Sequence, residues 1–151
     1  MRDDVDRIME VMAAAFDPEY GEAWNRVQVE GALLAGNCHA ILLGADGASP
    51  VDDEEAAGFT LSRTTLDEEE LLLFAVSPEF RRRGLGAKML ELLFRDCRAR
   101  GIVHIHLEMR RGNPAERLYR AHGFEPVGER PNYYRTSSGT RIDAISFRYS
   151  L

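Results

Sequence analysis

The chain has 151 residues, 44% apolar and 29% charged, with a formal net charge of -6. That composition fits one globular domain with a sizeable core, and the acidic balance argues against general affinity for nucleic acid or anionic membranes. No apolar run reaches the roughly 20 residues of a spanning helix, Cys38 and Cys97 make neither a disulfide framework nor a ligand pair, and the acidic opening is unlike a targeting segment, so a reduced, cytoplasmic protein is expected.

In chain order, Val5, Ile8, Met9, Met12 and Phe16 recur at helical spacing and predict a helix over 3–16, ended by Asp17-Pro18. A second helix is expected over 22–35, closed by Gly36-Asn37, and a short strand over 39–43. Residues 44–56 read as a polar loop without evident chemistry. Strands follow over 57–64 and 70–76, joined by an acidic turn over 66–69. The clearest helix spans 84–100, with Leu85, Met89, Leu92, Leu93 and Cys97 on one face and Gly101 at its end. Residues 102–109 alternate: Val103, Ile105, Leu107 and Met109 point one way, His104, His106 and Glu108 the other. Asn113-Pro114-Ala115-Glu116 reads as a capped helix start, and the helix runs to His122 before Gly123. Strands over 125–130 and 144–149 close the chain. The order of elements indicates an α/β fold with a central mixed sheet.

Three groupings carry chemistry. The first is Arg81-Arg82-Arg83-Gly84-Leu85-Gly86, between a strand and a helix. A helix start exposes free N–H groups and the positive end of the dipole. Glycines let the backbone approach an anion, and arginines add paired donors for phosphate oxygens. A phosphate-bearing ligand is one reading; a solvated basic turn with glycines for tight geometry is the other. The second is Glu108 beside His104 and His106. Burial would raise its pKa and suit it to general-base work; pairing with an arginine such as Arg110 is the plain alternative. His-x-His-x-Glu also has the alternation of metal ligands, but no second ligand cluster accompanies it, and no metal is expected. The third is Tyr119 on the last helix, either core packing or, facing the same cleft as Glu108, a proton donor. The acidic runs 52–55 and 67–70 read as solvated loop charge.

The stretch Val76-Ser77-Pro78-Glu79-Phe80-Arg81-Arg82-Arg83-Gly84-Leu85-Gly86, with the amphipathic helix after it, resembles the acetyl-CoA signature of the GNAT acetyltransferase superfamily. The later block is narrower. Leu107-Glu108-Met109-Arg110, Asn113, Leu118-Tyr119, Gly123-Phe124 and Asn132-Tyr133-Tyr134, with the closing Ile142-Asp143-Ala144-Ile145, is similar to the RimI-type ribosomal-protein-alanine N-acetyltransferases.

The resemblance implies a GNAT-like mixed central β-sheet flanked by about four α-helices, splayed between its fourth and fifth strands, in a single domain over 1–151. It implies acetyl-CoA as acetyl donor, with backbone groups of Phe74, Ala75 and Val76 on the acetyl and pantetheine part. Amides of Arg81, Arg82, Arg83, Gly84, Leu85, Gly86 and Ala87 would hold the pyrophosphate, and Asn113 would touch the cofactor. Glu108 would be the general base and Tyr119 the general acid. The implied acceptor is a protein N-terminus, a ribosomal protein beginning with alanine being the family's substrate. A small amine or lysine acceptor, or a non-catalytic acyl-CoA-binding module, are the alternatives. Two departures stand out. The family opens with a short strand, whereas this chain begins almost inside a helix. Seven residues are expected from the cofactor Asn to the Tyr, and here Asn113 and Tyr119 are six apart.

Overall fold

The sheet of this chain begins only after two helices, because the first residues carry the signals of a helix start rather than of a strand. In the computed structural model, which describes residues 1–151, Asp3 and Asp6 exchange backbone-to-side-chain hydrogen bonds that cap helix α1, Asp4–Ala15. A single 3-10 turn, Pro18–Tyr20, follows. Helix α2 is Arg26–Leu34, capped in the same reciprocal way by Asn25 and Gln28. It starts four residues later than expected, so Glu22 lies in the connecting segment.

Six strands then assemble in the order β1-β2-β3-β4-β6-β5. Strands β1 (Cys38–Leu43), β2 (Gly58–Thr65) and β3 (Glu68–Val76) form an antiparallel meander. Helix α3, Leu85–Ala99, crosses over to β4, His104–Arg110, which lies parallel to β3. After the short helix α4, Glu116–Ala121, strands β5 (Glu125–Arg135) and β6 (Arg141–Ser150) form a hairpin, with β6 beside β4. The core has two main parts on opposite faces of the sheet. Ile8, Val11, Met12, Phe59, Leu61 and Leu73 lie under α1 and α2. Leu90, Leu93, Phe94, Ile105, Leu107 and Phe147 lie under α3. Burial of this apolar surface is the main favourable term in folding.

The splay expected between a fourth and a fifth strand lies here between β3 and β4, because no strand precedes α1 and the count starts one later. Only Glu68, Glu69 and Glu70 of β3 pair with β4, opposite His104, Ile105 and His106. Immediately beyond them Ser62 faces Leu71 and Leu61 faces Leu73, so Leu72 is an extra residue in the ladder. A bulge bends its strand and disturbs the alternation of faces. Leu71 joins the core under α3, whereas Leu73 and Ala75 join the core under α1 and α2. From the bulge onward the two parallel strands diverge.

Several expectations need correction. Residues 66–69 are not all turn: β3 starts at Glu68, and Glu69 is fully buried rather than solvated. Val103 is exposed and precedes β4 instead of sharing its buried face. The closing hairpin starts at Glu125 as expected but runs further toward its turn, to Arg135 in β5 and from Arg141 in β6, and β6 ends one residue later at Ser150. The hairpin accommodates Pro131, which has no N–H to donate, through a register shift between Arg130 and Tyr134 in which Asn132 adopts a left-handed φ of 55° and donates its N–H to Asp143.

Candidate active site

The wedge between β3 and β4 holds two adjoining cavities. The larger, about 530 Å³, runs from Phe74, Ala75 and Val76 on β3 to the start of α3, with Arg110 and the 113–115 segment opposite. The smaller, about 220 Å³, lies deeper along the splay between Leu71, Leu72 and Leu73 on one side and Leu107, Glu108 and Met109 on the other. Phe16, Glu22, Phe74 and Asn113 line both, so the cavities meet there.

The start of α3 is open. Its first helical hydrogen bond runs from Lys88 N–H to Gly84 C=O, which leaves the N–H groups of Leu85, Gly86 and Ala87 without intrahelical partners. Gly84, the residue before the helix, has a φ of 75° in the left-handed region that glycine favours. Gly86 serves packing: a Cβ there would lie 2.9 Å from Leu118 Cδ2 and 3.4 Å from the Phe74 ring. The three arginines divide. Arg81 folds back and its Nε donates to the Val76 carbonyl at 3.1 Å. Arg82 lines the cavity. Arg83 lines neither cavity and lays its guanidinium over the Phe80 ring. Beyond Glu70 the β3 edge that faces β4 is unpaired, so an extended chain can hydrogen-bond to it. A polyanionic ligand with an extended, partly apolar arm fits this surface: free N–H groups, helix dipole and arginine at one end, strand edge and apolar wall along the rest.

Glu108 sits on β4 at the smaller cavity. Its side chain is 25% exposed rather than deeply buried. Ser146 Oγ donates to its Oε2 at 3.2 Å, and Arg130 Nε approaches the same oxygen at 3.4 Å. The arginine on Glu108 is therefore Arg130 from β5, not the adjacent Arg110. The neighbouring histidines have their own partners, His106 with Glu68 and His104 with Ser150.

Tyr119 reaches the same cavity from α4. It is buried, edge-on to Phe74 and to Phe124 at 5.7 Å in each case. Burial, with the nearby Glu22 charge, pushes its phenol well above the ordinary tyrosine value. It therefore keeps its proton at neutral pH. Tyr134 of β5 lines this cavity too, and burial beside Glu108 and Glu22 pushes its phenol up to about 12.

Asn113 does not cap α4. Its Oδ1 accepts the Ala115 N–H at 2.9 Å and closes a turn over Pro114, so the helix starts at Glu116. It still lines both cavities. The structure thus brings Glu108, Tyr119, Phe74 and Asn113 to one cavity, and Ala75, Val76, Arg81, Arg82, Gly84, Leu85, Gly86 and Ala87 to the other. Glu22, Trp24 and Tyr134 are site-lining residues that the sequence reading passed over. The expected helix over 22–35 puts Glu22 inside it, and the Asn132-Tyr133-Tyr134 block is the only sequence signal for Tyr134.

The family model described as the acetyltransferase (GNAT) domain matches residues 45–126. Over 94 residues the chain is 43% identical to the ribosomal protein bS18-alanine N-acetyltransferase of Salmonella typhimurium, a match covering 62% of this chain and 63% of that one. The enzyme of the same name from Escherichia coli strain K12 is 41% identical over 90 residues, covering 59% and 60%. These alignments span less than two thirds of the length of either curated relative. The crystal structure of the ribosomal-protein-S18-alanine N-acetyltransferase from Escherichia coli superposes with a TM-score of 0.82 at 27% identity, covering 98% of this chain and 88% of that one. Because the matched residues 45–126 amount to more than half of the chain, this protein belongs to the acetyltransferase (GNAT) domain family.

Proposed function

We propose that this protein transfers the acetyl group of acetyl-CoA to the α-amine of a protein N-terminus, with a ribosomal protein beginning with alanine as the acceptor. One observation carries the reading. A cavity suited to a phosphorylated, extended donor opens directly into a second cavity that holds a carboxylate and a protonated phenol, Glu108 and Tyr119. The naming of the relatives supports the choice of acceptor.

Acetyl-CoA supplies an acyl thioester when bound. The N–H groups at the start of α3, with Arg82, hold its diphosphate, and the β3 edge at Phe74, Ala75 and Val76 aligns its arm. A Val76 N–H donates to the carbonyl oxygen where negative charge develops. Glu108 accepts the proton that leaves the acceptor amine as nitrogen bonds to the acyl carbon. Tyr119 gives its phenolic proton to the sulfur as the carbon–sulfur bond breaks. The protons balance: one arrives on Glu108, one leaves Tyr119, and exchange through solvent resets both. Holding donor and amine in one wedge supplies the proximity on which direct transfer relies, and no cysteine is required.

An α-amine, with a reference pKa of about 7.7–8.0, is roughly one-tenth neutral near pH 7, whereas lysine at about 10.4 is almost wholly charged. A carboxylate base therefore suits an N-terminus better than a lysine. The test is acetylation of a peptide library with readout of both N-terminal and lysine products. Acetylation confined to the α-amine of alanine-initiated peptides is the expected result. Lysine or polyamine products would move the assignment to another acceptor, and failure of the chain to bind coenzyme A would end it.

A further inference from the structure

Arg110 ends β4, two residues beyond Glu108 and on the same face of the strand. Its side chain is only 13% exposed, yet it takes no part in the roles assigned above. Nε donates to Glu22 Oε1 at 3.2 Å, and the guanidinium lies 3.6 Å from the centre of the Tyr20 ring. Both partners belong to the segment between α1 and α2. The same segment is tied from the other side by the β5–β6 hairpin, where Ser137 N–H donates to the Glu19 carbonyl at 2.9 Å.

Glu22 lines both cavities and so stands where donor and acceptor must meet. Arg110 engages one of its carboxylate oxygens, and no group of the chain hydrogen-bonds the other. Its charge reaches the smaller cavity, since it adds to the upward push on Tyr119 and on Tyr134. A protonated amine entering a half-buried, apolar space needs an anion to offset its lost hydration. It must also be held before it can be deprotonated. Glu108 already carries Arg130 and Ser146 on one oxygen.

We propose that Arg110 is a positioning residue that fixes Glu22 at the junction of the two cavities, and that Glu22 receives the positively charged acceptor amine, which sheds one proton to solvent before it attacks and gives a second to Glu108 as the carbon–nitrogen bond forms. Arginine suits this post better than lysine, because its planar fork holds the carboxylate while its face stacks on Tyr20. The inference rests on the reading of the protein as an amine acetyltransferase.

The experiment uses the full chain loaded with coenzyme A. Calorimetry compares an alanine-initiated peptide with the same peptide N-acetylated, hence uncharged. Steady-state kinetics give the KM of the free peptide. The wild type should prefer the charged peptide, and Glu22→Gln should abolish that preference. Both Glu22→Gln and Arg110→Gln should raise the peptide KM about tenfold or more, with acetyl-CoA affinity unchanged. The double variant should be no worse than Arg110→Gln alone, and Arg110→Lys should recover part of the loss. A wild-type peptide KM in both single variants, or an equal loss of acetyl-CoA affinity, would overturn the inference while leaving the acetyltransferase reading intact. Absence of any peptide turnover by the wild type would overturn both. If Arg110→Gln does not fold, Glu22→Gln, in the irregular segment between α1 and α2, decides the matter alone.

Discussion

Arg100 and Glu69 meet end to end, guanidinium nitrogens on carboxylate oxygens at 3.0 and 3.1 Å, at the closed end of the wedge. Glu69 lies in the three-residue stretch where β3 still pairs with β4, and Arg100 is the residue that ends α3. Ser62 and Thr64 also donate to the carboxylate. The pair joins β2, β3 and α3 at the point from which the strands begin to diverge. It is thus a hinge pin for the cleft rather than part of it.

Burial alone would push the Glu69 carboxyl up, but the hydrogen bonds from Arg100, Ser62 and Thr64 and the Arg100 charge hold it below its ordinary value. A carboxyl depressed in the folded state adds stability that is complete above the unfolded pKa of about 4.3 and is lost as pH falls through the folded value. Urea unfolding between pH 7 and 3 should therefore show a decline on the acid side that Glu69→Gln flattens. Arg100→Ala should cost about 3 kcal/mol at neutral pH, because it leaves a buried carboxylate unpaired. A wild-type acid profile in Glu69→Gln would show that the depression is absent in solution.

Tyr119 separates chemistry from packing in the opposite sense. Its ring packs on Phe74 and Phe124, whereas its hydroxyl has no partner in the chain. Tyr119→Phe keeps the ring and removes only the proton donor, so unfolding stability should stay within about 0.5 kcal/mol of wild type. The turnover number should fall by about 100-fold or more, as for loss of a positioned general acid. Glu108→Gln should match that loss while acetyl-CoA affinity stays unchanged. A Tyr119→Phe enzyme with full turnover would remove the phenol from the proton path.

Thr60 of β2 is fully buried and its Oγ1 has no hydrogen-bond partner in the chain. An unpaired buried hydroxyl costs free energy that an isosteric methyl does not. Thr60→Val keeps the β-branched shape that suits a strand, and should raise the unfolding free energy by about 1 kcal/mol. Thr60 itself lines neither cavity, although its cross-strand partner Phe74 lines both, so an isosteric change should leave turnover within about twofold of wild type. A destabilised variant would mean that the hydroxyl finds a partner in solution.

The parts of this fold that were legible in the sequence rest on local periodicity. The stripe from Leu85 to Cys97 gives α3, and the alternation from Ile105 to Met109 gives β4. The glycines and arginines after Val76 mark the open helix start. What local sequence does not encode depends on distant partners or on a broken phase. Glu69 reads as one more solvated acid because Arg100 is 31 residues away, and the Glu22–Arg110 pair spans 88 residues. The bulge at Leu72 leaves no mark in the uniformly apolar run Leu71–Val76, where alternation has nothing to contrast. Asn113-Pro114 carries the signature of a helix cap, but the Asn side chain bonds only two residues ahead and makes a turn instead.

Arg82 combines a strained backbone with an exposed charge, and the two effects separate by substitution. Its φ is 65°, in the left-handed region, and it lines the larger cavity with no ion-pair partner. A non-glycine residue held there costs about 1–2 kcal/mol. Arg82→Gly should relieve part of that cost, offset by the greater freedom of glycine in the unfolded chain, whereas Arg82→Ala relieves none. Arg82→Gly should therefore be the more stable of the two in urea unfolding. Both lose the guanidinium, so both should weaken coenzyme A binding by about 1–3 kcal/mol in calorimetry, the loss of a charge-assisted contact. The deficit should shrink as salt screens the phosphates. Arg81→Ala should weaken binding less, since that side chain is occupied with the Val76 carbonyl. If neither Arg82 variant changes the affinity, the diphosphate is held by the amides of Leu85, Gly86 and Ala87 alone.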